Sequence, residues 1–275
     1  MGAQTSESNP SQHAPRPARE ATAEIEILLH HHSRQVLEAL LDRPEVRERH
    51  LLVLLSRKNL PREIISKIAA NREWMTSYQM KLAVVRHPRT PRHVALPLVK
   101  FIYLFDLLGI ALTPGVPAEL KRLSEDAILA QREGIALGQR ISLARRGSHR
   151  LAGKLLGDSD RRVIEAALSN PSLTEHNVGA ALVLENASAE LAEAVLIHPR
   201  WSIPRSVKQA LVRCKSLSLA RLMGILPELS APELADVAAD PRVAINIRAY
   251  AARTVLWRSR QRKSGGRNRM EAEGE

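Results

Sequence analysis

The stretch that decides the fold is DSDRRVIEAALSNPSLTEHNVGAALVLENASAELAEAVLIHPRWSIPRSVKQALVRC, which covers residues 158–214. Short punctuating residues recur along it with spacings of 12, 16, 12 and 16 residues, at Asp158, Asn170, Asn186, His198 and Cys214. Each pair of units therefore covers 28 residues. Self-similarity with a period of about 20–50 residues is typical of repeat proteins, so this stretch predicts stacked structural repeats.

An earlier block of the chain repeats the same spacing. Asn59, Asn71 and His87 follow one another at intervals of 12 and 16 residues. When the two blocks are aligned, the matched pairs are Trp74 and Trp201, Lys81 and Lys208, Ala83 and Ala210, and Arg86 and Arg213. The agreement outside the punctuating positions supports a true repeat.

Each unit is long enough for one short helix and a turn. Asparagine and aspartate favour turns and helix N-termini because their side chains accept hydrogen bonds from free backbone N–H groups. Proline is tolerated in the first turn of a helix, where its missing N–H would be unpaired anyway. No alternation of apolar and polar residues persists long enough to predict a strand, and only 8 of the 275 residues are aromatic. The sequence therefore predicts an all-α fold, an α-solenoid of short helix pairs.

The ends and the middle of the chain depart from this pattern. Residues 1–22 are rich in Ser, Pro, Gln and Asn, and residues 258–275 carry six basic residues followed by three glutamates, so both ends are predicted to be disordered. The helical repeat domain is expected over residues 23–257. Residues 117–143 predict one longer central helical segment, either a single helix or two helices with a break near Gly134. Residues 88–157 fit either diverged repeats or a separate subdomain.

Two stretches, LLGDSDRRVIEAALSNPSLT (residues 155–174) and VAADPRVAINIRAYAART (residues 237–254), share a loose pattern. An apolar pair is followed by an aspartate turn, Arg-Val and an alanine-rich helix. This pattern resembles the HEAT-like α-helical repeats, and is closest to their variant leucine-rich type. The resemblance covers about half of the chain and implies an α-solenoid. A cysteine-ligated cluster, known in some variant-repeat proteins, is not implied, because this chain has one cysteine.

The residues that enzymes and metal sites need do not form recognisable motifs. The single Cys214 excludes a disulfide framework and a zinc or iron–sulfur site built on cysteines. Three histidines are consecutive at residues 30–32, and neighbouring helical residues point about 100° apart, so they do not converge on one ion. The chain has no nucleophile elbow and no phosphate-binding loop. We therefore expect a protein that is not an enzyme and uses no metal, cofactor or small-molecule substrate.

The most apolar window, residues 94–112, also contains Pro97, Lys100, Asp106 and Gly109. Two charges and two helix-disrupting residues predict a buried helix pair there and not a membrane span, and the expected location is the cytoplasm.

The few aromatic residues have two interpretations. Trp74 and Trp201 occupy matched repeat positions, and Phe101, Tyr103 and Phe105 lie together on the apolar window. Aromatic side chains at repeated positions are expected to pack between helices, and a platform for stacking nucleic-acid bases is the alternative.

The basic residues carry the main functional signal. The formal net charge is +12, and residues 140–162 hold seven basic residues against two aspartates. Arg146, Arg150 and Lys154 are four residues apart and would form one ridge on a continuous helix, and Arg205 with Lys208 would form a second. Such ridges are either an anion-binding surface or a solvated helix face.

Solenoids present extended surfaces that hold other macromolecules. We therefore expect a non-enzymatic binding or scaffold protein that holds an acidic protein partner. Sequence-nonspecific binding of nucleic acid through the basic residues is the alternative. A divergent DNA-repair glycosylase is a more distant one, because it rests on analogy of fold alone.

Overall fold

The structure is a computed structural model, which describes the backbone of residues 16–272 and the side chains of residues 23–261. Over these residues the backbone forms helices and turns and no β-strand, so the predicted all-α fold is confirmed. The α-helices, in chain order, are α1 (Arg16–Leu29), α2 (Arg34–Leu41), α3 (Glu48–Ser56), α4 (Arg62–Ala70), α5 (Tyr78–Arg86), α6 (Arg92–Val99), α7 (Leu104–Leu112), α8 (Ala118–Ala130), α9 (Leu137–Arg146), α10 (His149–Leu155), α11 (Arg161–Leu168), α12 (Glu175–Val183), α13 (Ala189–Ile197), α14 (Arg205–Arg213), α15 (Leu219–Leu222), α16 (Ala231–Ala239) and α17 (Ile245–Ala272). Short 3-10 helices lie at Trp74–Thr76, Arg132–Gly134 and Leu226–Glu228.

The chain divides into two compact units, the first ending at Gln131 and the second beginning at Arg132. In the first unit α1 packs on α2 and α3, α2 on α4, α3 on α5, and α6 and α7 on α8. In the second unit α9 packs on α10 and α11, α10 on α12, α11 on α13, α12 on α14, and α16 on α17. Most helices thus contact the helix two places later in the chain. Helices this short gain their stability from packing against such neighbours.

Five of the punctuating residues accept a hydrogen bond from a nearby backbone N–H in the turns. Asn71 follows α4 and accepts a hydrogen bond from the N–H of Glu73 at 3.0 Å. The corresponding bonds, each from the N–H two residues later, are made by His87 at 3.1 Å, Asp158 at 2.9 Å, Asn170 at 2.8 Å and His198 at 3.1 Å. These local bonds explain why a polar residue recurs after the helices.

A set of arginines donates to backbone carbonyls that lie 28–30 residues earlier in the chain, three of them from turns and Arg258 from α17. Arg89 donates to the carbonyl of Asn59 at 3.0 Å and Arg200 to that of Asn170 at 3.4 Å, each 30 residues earlier. Arg57 donates likewise to the carbonyl of Leu29, 28 residues earlier, and Arg258 to that of Leu229, 29 residues earlier. These bonds join segments that are about one predicted repeat apart; the 28-residue period itself stays a prediction.

The central segment is not one helix. α8 ends at Ala130, the 3-10 helix Arg132–Gly134 follows, and α9 begins at Leu137. The N–H of Gln131 bonds to the carbonyls of both Ile128 and Leu129, which tightens the last turn, and the following glycine favours an end to the helix. Of the two predicted forms, the pair of helices with a break near Gly134 is therefore correct.

The apolar window forms the predicted pair of helices, α6 and α7, joined by a turn at residues 100–103. Within the part of the chain described here, we find no helix with the length and apolar character needed to cross a membrane.

Both ends of the described chain are helical. α1 begins at Arg16 and α17 runs to Ala272, so helix covers residues 16–22 and 258–272, for which the sequence predicts disorder. Alanine, arginine and glutamate are strong helix formers and favour the helix over residues 16–22. Residues 1–15 and 273–275 lie outside the described residues, and the domain boundaries at residues 22 and 257 stay predictions.

Candidate functional site

The structure divides the predicted ridge of Arg146, Arg150 and Lys154. α9 ends at Arg146, and Arg150 and Lys154 lie on the next helix, α10. Gly147 lies at the break, where a Cβ atom would be 2.5 Å from the carbonyl oxygen of Leu143 and 3.1 Å from Cβ of Leu151. The premise of a continuous helix is therefore wrong, because the chain makes a close turn here that only glycine fits.

Arg150 and Lys154 instead line a half-open cleft of about 420 Å³ in the second unit. Its walls come from α10, from α12 and from the turn that leads into α13, and Arg132 lies at its edge. The cationic and titratable side chains around it are Arg132, Arg150, Lys154 and His176, and we call this site the basic cleft. Among the described residues that line it there is no aspartate or glutamate. The charged lining is therefore wholly positive.

Two features of the sequence build the walls of the basic cleft. Gly153 lets α10 approach α12 closely, because a Cβ atom there would be 3.0 Å from Nδ2 and 3.1 Å from Cβ of Asn177. Asn177 is in turn fixed by Thr174, the N-cap of α12, whose hydroxyl bonds to Asn177 Oδ1 at 2.6 Å and accepts from its N–H at 3.3 Å. On α10, Leu151 and Leu155 are buried. Lys154 is on the other face of α10, away from these leucines. That face lines the cleft, and Lys154 is exposed there.

Part of the rim of the basic cleft is apolar. Leu184 lines the cleft with 58% of its surface exposed, and its neighbour Val183 is 44% exposed. The floor carries small residues, Ala180, Ala181 and Gly153. A ligand would therefore meet positive charge and aliphatic surface together.

Three other arginines of the basic window are structural partners of carboxylates. Arg140 donates through Nη1 to both oxygens of Asp158, at 2.6 and 2.7 Å, and the aspartate side chain is almost fully buried. Arg161 pairs with Glu165 at 2.8 Å and Arg162 with Asp160 at 2.9 Å. The hydrogen bonds from Arg162 lower the pKa of Asp160 to about 2. These arginines hold turns and helix ends and do not line the basic cleft.

The second predicted ridge lies on α14. Arg205 is exposed at the start of the helix, while Lys208 is half-buried and its Nζ forms an ion pair with Glu228. Neither residue is among those that line the basic cleft. Of the five predicted residues, the structure brings together only Arg150 and Lys154.

Sequence reasoning missed Arg132 and His176. Arg132 follows the break after α8, where no periodicity predicts its direction. His176 is 26 residues after Arg150, on the helix that packs directly against α10. A spacing close to one repeat was the available signal, since equivalent helices of adjacent repeats lie side by side.

The aromatic residues divide into two groups. Trp201 is 1% exposed, donates from Nε1 to the carbonyl of Leu168 at 2.8 Å, and has the guanidinium of Arg200 at 4.2 Å from its ring centroid. Its predicted packing role is therefore confirmed. Phe101, Tyr103 and Phe105 are exposed, so they do not pack in the core as Trp201 does.

Comparison with known proteins gives no identification: no protein-family model, no curated protein and no solved structure matches the chain.

Proposed function

We propose that the protein is a non-enzymatic binding protein whose basic cleft holds a carboxylate-bearing segment of an acidic protein partner. The single observation that carries this proposal is the wholly positive charged lining of the cleft. Arginine and lysine bind carboxylates through charge-assisted hydrogen bonds, and arginine does so with two parallel N–H groups.

The apolar rim favours a protein over a bare anion. Exposed Leu184 offers aliphatic surface in the same lining as the cations, and a segment that alternates acidic and aliphatic side chains would contact both. A phosphate or a nucleic-acid backbone would leave that aliphatic surface in water.

The test uses a fluorescent peptide of alternating glutamate and leucine as the probe, and a lysine–leucine peptide of the same length as the charge control. We expect the full chain to bind the acidic peptide with an affinity that falls as salt is raised, because exposed charges are screened. Lys154→Glu should weaken binding by about tenfold or more, since it places a like charge against the ligand.

Arg205→Glu is the matched control. It reverses an exposed arginine of the same unit that lies outside the basic cleft, and it should leave the affinity within about twofold, since distant exposed charges contribute little. Equal losses in both variants would show that net charge alone attracts the peptide. Equal binding of the lysine–leucine peptide would exclude charge recognition altogether.

A further inference from the structure

The turn between α6 and α7 and the first turn of α7, in the first unit, expose three aromatic side chains within five residues. Phe101 is 52% exposed, Tyr103 69% and Phe105 47%. Ile102, between the first two, is buried and anchors the turn to the core. These three are a large part of the 8 aromatic residues of the chain. Their exposure to water gives up the stabilisation that burial of an aromatic side chain would contribute to the fold. A cluster of this kind marks an interaction surface.

Tyr103 is held in place by its contacts with Tyr78. Tyr103 stacks on Tyr78 with ring centroids 4.3 Å apart and an interplanar angle of 29°. The Tyr78 hydroxyl donates to Oδ2 of Asp106 at 2.5 Å and accepts from the N–H of Tyr103 at 3.2 Å. Burial, and then the bond to Asp106, raise the pKa of Tyr78, so the hydroxyl stays a donor at neutral pH. One face of Tyr103 is thereby covered, and most of the remaining ring is open to solvent.

Two ammonium groups lie over the ring of Phe101. The ammonium groups of Lys81 and Lys100 lie 5.3 and 5.2 Å from the centroid of Phe101. Asp106 is the carboxylate that takes part in the contacts around Tyr103. It is paired with Arg86 at 2.8 Å and also accepts the hydrogen bond from Tyr78. The two ammonium groups are therefore left for an anionic ligand, with Lys81 also donating to the carbonyl of Thr76 at 3.3 Å.

We propose that this surface, formed by Tyr78, Lys81, Lys100, Phe101, Tyr103 and Phe105 and called here the aromatic surface, binds single-stranded nucleic acid. Bases stack on the open faces of Tyr103 and Phe105, and phosphates contact Lys81 and Lys100. Rings with open faces beside cations are the arrangement by which proteins bind single strands.

The same features disfavour other occupants. A duplex hides the faces of its bases and would contact only the two lysines. An acidic protein segment would use the lysines and leave the ring faces without a stacking partner. This binding is separate from that of the basic cleft, because the two surfaces lie in different units and share no residue.

The test measures the fluorescence anisotropy of a labelled oligo(dU) of about ten nucleotides, within the range of known site sizes, titrated with the full chain. We expect binding at low salt that weakens as salt is raised. Tyr103→Leu keeps an apolar side chain but removes the stacking face, and should weaken binding by about tenfold or more. Tyr103→Phe keeps the face and should bind like the wild type. Changing Lys81 and Lys100 to glutamine should lower the salt slope by about 1 to 1.5, as expected for two lost phosphate contacts.

Trp257→Leu is the matched control, because Trp257 is an exposed aromatic residue of the second unit, and it should bind oligo(dU) like the wild type. Lys154→Glu should also leave this binding intact, which separates it from the function proposed for the basic cleft. The proposal is overturned if oligo(dU) is not bound at low salt, if a duplex of the same length binds as tightly, or if Tyr103→Leu binds like Tyr103→Phe. The last result would show that no base stacks on the ring of Tyr103.

Discussion

At the scale of single residues, His87 shows how one side chain supports two turns. Its Nδ1 accepts from the N–H of Arg89 at 3.1 Å, and its Nε2 lies 2.8 Å from the carbonyl oxygen of Arg57. Asn170 has the same two functions, since its Oδ1 accepts from the N–H of Ser172 and its Nδ2 donates to the carbonyls of Ala144 and Gly147. Both arrangements require an acceptor and a donor on one side chain. Histidine meets this requirement only as the neutral tautomer protonated at Nε2.

The neutral form of His87 predicts a pH-dependent stability. Burial lowers the pKa of His87, and it also lowers those of His50 and His198, so the unfolded chain binds more protons than the folded chain near the ordinary histidine pKa. Stability from these groups is therefore complete above about pH 6.5 and is lost as the pH falls below it. Urea unfolding followed by circular dichroism between neutral and mildly acidic pH should show this decline.

His87→Asn removes the titrating group and keeps the donor–acceptor pattern seen at Asn170. We expect a smaller loss of stability on acidification than in the wild type. An unchanged pH dependence in the variant would contradict the assignment to His87.

At the scale of elements, sequence patterns identify helices and turns better than the continuity between helices. The punctuating residues predict the turns correctly at Asn71, His87 and Asn170, because side-chain bonds to the backbone two residues later are local. The prediction of one ridge through Arg146 and Lys154 was wrong, because it assumed a continuous helix. A spacing of four residues places side chains on one face only if the helix does not end between them. The close approaches at Gly147 are to Leu143 and Leu151, each four residues away, so the break is a local feature that the residue spacing alone did not take into account.

The break at Gly147 predicts a difference between two glycines. Gly147→Ala places a Cβ atom 2.5 Å from the backbone oxygen of Leu143 and should destabilise the protein by about 1–3 kcal/mol, since the backbone has to shift. Gly138→Ala is the control within α9, because a Cβ atom there has nothing within 4 Å. It should be neutral or stabilise by up to about 1 kcal/mol.

Chemical denaturation of the two variants measures the difference directly. If Gly147→Ala were as stable as Gly138→Ala, the close approach at Gly147 would not be what requires glycine at the break between α9 and α10.

At the scale of the whole molecule, composition predicts the all-helical fold and the positive charge. It does not predict which cationic side chains lie together. Arg140, Arg161 and Arg162 look like the other basic residues in the sequence, yet each is paired with a carboxylate. Arg132 and His176 join Arg150 and Lys154 only through packing between helices. The exposure of Phe101, Tyr103 and Phe105 could not be predicted either, because the apolar character of a window does not identify which of its side chains are buried.

The most direct test of the central claim, that the basic cleft recognises acidic segments, is a reversal of its charge. Arg132→Glu combined with Lys154→Glu changes two exposed side chains and should leave the melting temperature nearly unchanged, since exposed charges contribute within about 1 kcal/mol each. Titration calorimetry should then show that the double variant no longer binds the glutamate–leucine peptide and now binds the lysine–leucine peptide, because the local field has changed sign. If the folded double variant still bound the acidic peptide with wild-type affinity, the basic cleft would not be the binding site.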